Sequence, residues 1–257
     1  MRLAANISTM FGEWVLVDRF AAAAEAGFAA VEIQFPYEVA PERLEAARRA
    51  AGVEVVLFNL PAGDLAAGEL GLACLPGRRD SFAEGVARAL DYAEALGCRQ
   101  ANCLSGVCPP GLAPDEAWSA LSANIAFAAD ELGERGVRLL VEPLNTVDQP
   151  RFVLNRLALA DRLLDELAHP NLALQFDIYH AVVNGEEWHA ALLSRLPLIG
   201  HIQFSDCPGR GEPGTGAIDF GTVFESLRAL DYSGWIGCEY RPSGQTLDSL
   251  GWRSRFI

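Results

Sequence analysis

Eight short apolar runs, rich in β-branched residues, alternate along this chain with seven amphipathic stretches of helical period. That alternation admits few folds other than a parallel sheet wrapped by helices. The strand-like runs fall at 2–7, 29–34, 53–59, 100–104, 137–142, 172–177, 199–204 and 234–239. Helical patterns lie between them at 17–26, 41–51, 81–96, 114–132, 157–167, 186–193 and 220–230. Gly27, Gly52, Gly97 and Gly133 stand just past predicted helix ends, where a glycine commonly stops a helix before a short connection to the next strand.

Eight units in 257 residues give about 32 residues each, close to the roughly 30 of a βα repeat. No Gly-x-Gly-x-x-Gly follows the first run and no Gly-Lys-Ser/Thr loop occurs, which removes the usual reasons to expect an open nucleotide-binding sheet. The expected fold is α/β, a single (β/α)8 TIM barrel over residues 1–257, with no compositional break to mark a second domain.

The last four runs share a second property. They end in Glu142, Asp177, Gln203 and Glu239, and strand C-termini in such a barrel converge on the rim where active sites are built. One strand-end acid more often caps a helix or pairs with an arginine. Three carboxylates and an amide carbonyl at matching positions form instead an all-oxygen donor set suited to a divalent metal, Mg²⁺ or Mn²⁺. Such an ion, chelated by adjacent carbonyl and hydroxyl oxygens, stabilises the enediolate formed when the intervening C–H loses its proton. Glu142 and Glu239 are then the acid/base pair, one taking a proton from one carbon and the other delivering one to its neighbour. Two long connections, 61–80 and 205–219, follow strand ends and are expected to overhang this rim.

Around these positions the words become specific: Val141-Glu142-Pro143-Leu144-Asn145, Gln175-Phe176-Asp177-Ile178-Tyr179-His180, Gly200-His201-Ile202-Gln203, Arg210-Gly211-Glu212-Pro213-Gly214-Thr215-Gly216 and Gly237-Cys238-Glu239-Tyr240-Arg241-Pro242. With Leu57-Phe58-Asn59-Leu60-Pro61-Ala62-Gly63-Asp64 nearer the start, the chain resembles the hydroxypyruvate isomerase family of xylose-isomerase-like barrels, which includes the 2-oxotetronate isomerases. The resemblance implies Glu142, Asp177, Gln203 and Glu239 as metal ligands, and Glu142 and Glu239 as proton carriers. It also places His180 against the substrate. Arg210 is the candidate for a substrate carboxylate, because a guanidinium pairs with it in a planar fork. Asn6, Phe58 and Asn59 are weaker pocket candidates. His201, two residues before Gln203, is expected on the same face one layer deeper, outside the metal shell.

The implied reaction interconverts hydroxypyruvate and tartronate semialdehyde. Alternatives are a 2-oxotetronate isomerase, a ketose 3-epimerase, or, from another class, a non-catalytic sugar-acid binding protein. This chain has Leu65, Leu70 and Val107 where many relatives carry tryptophan, arginine and lysine, and Ala217 where a glutamate is familiar. Those departures bear on distal substrate contacts and spare the ligand set.

The expected partner is a small 2-oxo or hydroxy acid, with self-association open. A net charge of −14 disfavours nucleic acid and anionic membranes. There is no membrane-length apolar run, and the first residues lack a signal-peptide pattern. Six cysteines without CxxC spacing read as reduced thiols, and a cytoplasmic location is expected.

Overall fold

The structure, a computed structural model, describes residues 1–230 and 232–257. Eight strands, β1 (Arg2–Asn6), β2 (Ala30–Ile33), β3 (Glu54–Asn59), β4 (Gln100–Cys103), β5 (Arg138–Val141), β6 (Leu172–Asp177), β7 (Ile199–Phe204) and β8 (Trp235–Cys238), close into one barrel in sequence order. Every pairing is parallel, including the closing pair β1–β8. This is the expected (β/α)8 TIM barrel.

The barrel sits in a ring of helices, and most of the apolar core lies between the two layers. One aromatic cluster shows how this core serves the rim. Phe204 ends β7, and its ring lies 5.6 Å from Phe220, 5.3 Å from Phe224 and 5.6 Å from Trp252. Phe220 and Phe224 belong to α8 (Phe220–Ala229) and Trp252 to α9 (Trp252–Phe256). The strand carrying Gln203 is thus clamped by two helices; truncating a buried phenylalanine in such a cluster costs about 3–5 kcal/mol.

Inside the barrel the floor is apolar, with Ala4, Ala30 and Val56 in one cluster and Leu57, Leu140 and Ala173 in another. Above it the interior turns polar: Glu32, Asn102, Gln175 and His201 are all buried. A buried polar layer is stable only when its members satisfy one another, so these residues are constrained by their neighbours' hydrogen-bonding capacity.

The helices differ from expectation in three places. α4 (Pro114–Glu134) runs through Gly133 rather than stopping before it. The glycine there makes room for Asn171, whose Nδ2 donates to the carbonyls of Ala129 and Val137 at 3.0 and 2.9 Å. β6 passes directly into an unexpected short helix, α6 (Ile178–Val183), and α9 was likewise not anticipated. No helix among the described residues is long and apolar enough to cross a membrane.

Candidate active site

The rim residues are fixed by the strands that end beneath them. Asp177 closes β6 and caps α6: Tyr179 N–H donates to its Oδ1 at 2.9 Å, which leaves Oδ2 facing the barrel mouth. Glu142 follows β5, and its Oε2 accepts from Asn102 Nδ2 at 2.9 Å. The same amide reaches Asn59 Oδ1 at 3.2 Å, tying β3, β4 and β5 together. Glu239 follows β8, and its Oε1 accepts from Gln34 Nε2 at 2.7 Å and Arg210 Nη2 at 2.9 Å. Gln203 donates from Nε2 to Glu32 Oε2 at 2.8 Å, while its Oε1 accepts from Gln175 Nε2 at 2.5 Å.

Arg210 arrives from the 205–219 connection. Asp206, fully buried, organises that loop: its carboxylate accepts the backbone N–H groups of Cys207, Gly214, Gly216 and Ile218 at 2.8–3.0 Å. The scaffold supports Arg210 in a left-handed conformation, φ 58°, and Arg241 N–H donates to its carbonyl at 2.8 Å. Its guanidinium stacks on the Tyr179 ring at 4.9 Å and reaches both Glu239 and Asp177, the latter at 3.4 Å.

These side chains surround a cavity of about 270 Å³ at the C-terminal mouth, lined by Asn6, Phe58, Asn59, Glu142, His180, Gln203, Arg210 and Glu239. Asp177 is not among the lining residues but touches two of them, with Oδ2 3.4 Å from Arg210 Nη2 and 3.6 Å from His180 Nε2. The structure therefore brings every candidate residue to one place. Phe58 also belongs to the core outside the barrel. His201 is fully buried below, with Nε2 against Glu32 Oε1, as its position in the strand implied. Of the substituted positions, Leu70 lines the cavity, whereas Leu65, Val107 and Ala217 are not among its lining residues.

Burial dominates the electrostatics. It pushes Glu142 well above the ordinary carboxyl range, aided by repulsion from Glu239 and Asp177. Burial raises Asp177 too, against the pull of Arg210, and drives Glu239 up to about 8, again against Arg210. Once ionised, these three buried carboxylates facing one guanidinium would carry two negative charges without compensation, the charge of one divalent cation. With only oxygen donors in Glu142, Asp177, Glu239 and the Gln203 carbonyl, the residues fit a hard divalent ion.

Among the described residues, Glu142, Asp177 and His180 each place one potential ligand atom within 4.8 Å of the others. The imidazole's hydrogen bonds bear on whether it belongs to the ligand set. Asn145 donates its backbone N–H to His180 Nδ1 at 3.0 Å and places Nδ2 at 2.7 Å from the same atom. Asn145 cannot be flipped, because its Oδ1 already accepts from the N–H groups of Val147 and Asp148. Nδ1 is therefore an acceptor, and in the neutral ring the proton sits on Nε2. Nε2 lies 3.3 Å from Arg210 Nη2, which can only donate, and 3.6 Å from Asp177 Oδ2, so its proton turns toward the carboxylate and the nitrogen is a hydrogen-bond donor, not a metal ligand. Burial, then the charge of Arg210, lowers His180 well below its usual range, which keeps the ring neutral.

Sequence reasoning missed Glu32, Gln34, Asn102, Asn145 and Gln175. The signal for two of them was available: Glu32 and Gln34 alternate with apolar Val31 and Ile33, the period-two pattern of side chains turned into a barrel.

Residues 20–255 match the family model described as "Xylose isomerase-like TIM barrel". The chain is 42% identical over 252 residues to "Hydroxypyruvate isomerase" of Escherichia coli (strain K12), covering 98% of each. It is 41% identical over 256 residues to "2-oxo-tetronate isomerase" of Cupriavidus necator, covering 100% of this chain and 98% of the relative. Among solved structures it resembles "AP endonuclease, family 2 from Brucella melitensis" with a TM-score of 0.95, 38% identity, and coverage of 99% and 98% of the two chains.

Proposed function

The chain belongs to the xylose isomerase-like TIM barrel family and is an isomerase; from that premise we propose that it interconverts hydroxypyruvate and tartronate semialdehyde, with Mg²⁺ or Mn²⁺ held by Glu142, Asp177, Gln203 and Glu239. The observation that carries this reading is the pair Glu142 and Glu239, both buried at one small cavity and both with raised proton affinity. A carboxyl near 8 exchanges protons readily at neutral pH, as general acid–base chemistry requires.

A divalent cation held by these four residues would supply charge neutralisation to the developing enediolate. The chain's own groups do the rest. One ionised glutamate accepts the proton from C3 of hydroxypyruvate, and the other, protonated, delivers one to C2. The hydroxyl proton on O3 passes to O2, and exchange with solvent restores the two glutamates. His180 donates from Nε2 to a substrate oxygen, and its neutral form adds no charge beside Arg210. Asn6, Phe58 and Asn59 shape the wall.

The 41% identical 2-oxo-tetronate isomerase supports a second reading, the same proton transfer on a four-carbon acid. An endonuclease activity, the one for which the Brucella melitensis protein is named, is less well supported by a net charge of −14 and by a cluster containing one of only four histidines. A non-catalytic binder would have no need of two proton carriers.

Proton NMR in D₂O, with hydroxypyruvate and Mn²⁺-free Mg²⁺-loaded protein against chelated protein, tests the proposal. Metal-dependent product carrying deuterium at the reacting carbon is expected. Turnover of a 2-oxotetronate alone would transfer the assignment to the second reading, and no turnover of either acid would end both.

A further inference from the structure

We propose that Glu32 is the positioning residue that makes Gln203 a cation-facing carbonyl, and that Gly237 is glycine to leave room for it. The inference rests on the metal reading above and deepens it. Glu32 lies in β2 inside the barrel, 1% exposed, and takes no part in the proton transfer. Its carboxylate collects donors from two other strands: Asn6 Nδ2 at 3.1 Å from β1, and from β7 both Gln203 Nε2 at 2.8 Å and His201 Nε2.

Glu32 Oε2 accepts from Asn6 Nδ2 and from Gln203 Nε2, so the Gln203 amide turns its NH₂ to Glu32. From β6, Gln175 Nε2 donates to Gln203 Oε1. A flipped Gln203 would set its oxygen against a Glu32 carboxylate oxygen, whereas Gln175, whose own Oε1 has no partner, could turn to follow it. The amide is thus held in one orientation by Glu32, and its Oε1 keeps a second lone pair beyond the one that takes the Gln175 donor. A freely rotating glutamine would present oxygen and NH₂ alternately, and NH₂ cannot bind a cation.

Gly237 pairs in register with Gln203 across β7 and β8. A Cβ on Gly237 would overlap the Glu32 carboxylate. The glycine has no left-handed backbone to accommodate, so the requirement is for space alone. Partners in this outer layer of a metal site commonly change affinity about 10–100-fold when removed.

The test is Mn²⁺ binding to metal-free protein, followed by electron paramagnetic resonance of the free ion, with circular dichroism and Tm as controls on folding. Glu32→Leu, which removes the acceptor, should weaken Mn²⁺ about 10–100-fold. Glu32→Gln loses the same charge but can keep its carbonyl toward Gln203 while its NH₂ turns to His201, whose proton then moves from Nε2 to Nδ1, and should recover most of that affinity. Gly237→Ala, which displaces the carboxylate without changing any charge, should bind weakly too; it decides the matter if the leucine variant fails to fold. Wild-type affinity in Glu32→Leu or in folded Gly237→Ala would overturn the proposal. So would a Glu32→Gln variant as weak as Glu32→Leu, since charge and not orientation would then be at work. Wild-type protein that binds no Mn²⁺ would be a different failure, that of the metal reading itself.

Discussion

Arg210 Nη2 lies 2.9 Å from Glu239 Oε1, so the guanidinium expected to meet a substrate carboxylate is already paired with one of the two proposed proton carriers. It holds down the proton affinity of Glu239 and reaches Asp177 as well. Arg210→Gln should therefore act twice. Losing one partner of a buried charge pair costs about 2–5 kcal/mol, which converts to a fall in kcat/KM of roughly 30-fold or more. The limb of the pH profile governed by Glu239 should also move to higher pH, because the favourable charge is gone. Lysine should not restore the wild-type profile, lacking the planar fork and the stacking on Tyr179. A profile that drops in height without moving would place Arg210 outside the control of Glu239.

Glu142→Gln and Glu239→Gln keep shape and a ligand oxygen but remove the transferable proton, and are compared with the wild type at saturating Mg²⁺ because both residues are also proposed ligands. Each should reduce kcat by about 10²–10⁴-fold, with substrate affinity altered far less. Single-turnover deuterium incorporation separates the two roles: the variant that lacks the base should lose exchange at the donor carbon altogether. Full activity in either variant would refute its assignment as a proton carrier.

The barrel was legible because its signal is repeated: eight apolar runs with alternating helices leave little freedom. The rim acids were legible for a related reason, since strand ends in such a fold point to one place. What the sequence concealed depends on three-dimensional pairing. Glu32 is a lone charge in an apolar run, and only the register that sets Gly237 and Gln203 side by side reveals why a barrel interior tolerates it. Asn145 follows Glu142 by three residues, yet its partner His180 is 35 residues away across the α5 unit (Leu157–Leu167). Gly133 was misread because a helix-ending glycine and a glycine that admits a neighbouring side chain look alike until Asn171 is seen beside it.

The Asn145–His180 contact predicts a measurable tautomer. In protein labelled with ¹⁵N-histidine, His180 should show a protonated Nε2 and an unprotonated Nδ1 at neutral pH. It should remain neutral well below the usual imidazole range, because burial and Arg210 both oppose the cation. Comparison with His180→Gln assigns the resonance among the four histidines. Adding Mg²⁺ should leave that pattern unchanged. Loss of the Nε2 proton on metal addition would make His180 a ligand and would require Asn145 to release it.

Removing metal exposes the cost of three buried carboxyls, and the effect on stability has a definite sign. Glu239 is raised from 4.5 to about 8, and Glu142 and Asp177 are raised as well. A carboxyl raised in the folded state contributes stability that is complete below its unfolded value and is lost as pH climbs through the folded one. His180 opposes this below 6.5, where the unfolded chain protonates its imidazole before the folded protein does. The clean window is therefore pH 6.5 to 8, in which the Tm of chelated protein should fall as pH rises. Mn²⁺ affinity should rise over the same window, since the ion must displace protons from its ligands. With saturating Mn²⁺ the Tm should become flat or increase with pH. A chelated protein whose Tm is level across this window would show that the carboxyls are ionised and compensated without any metal, and the charge argument for a divalent ion would fall with it.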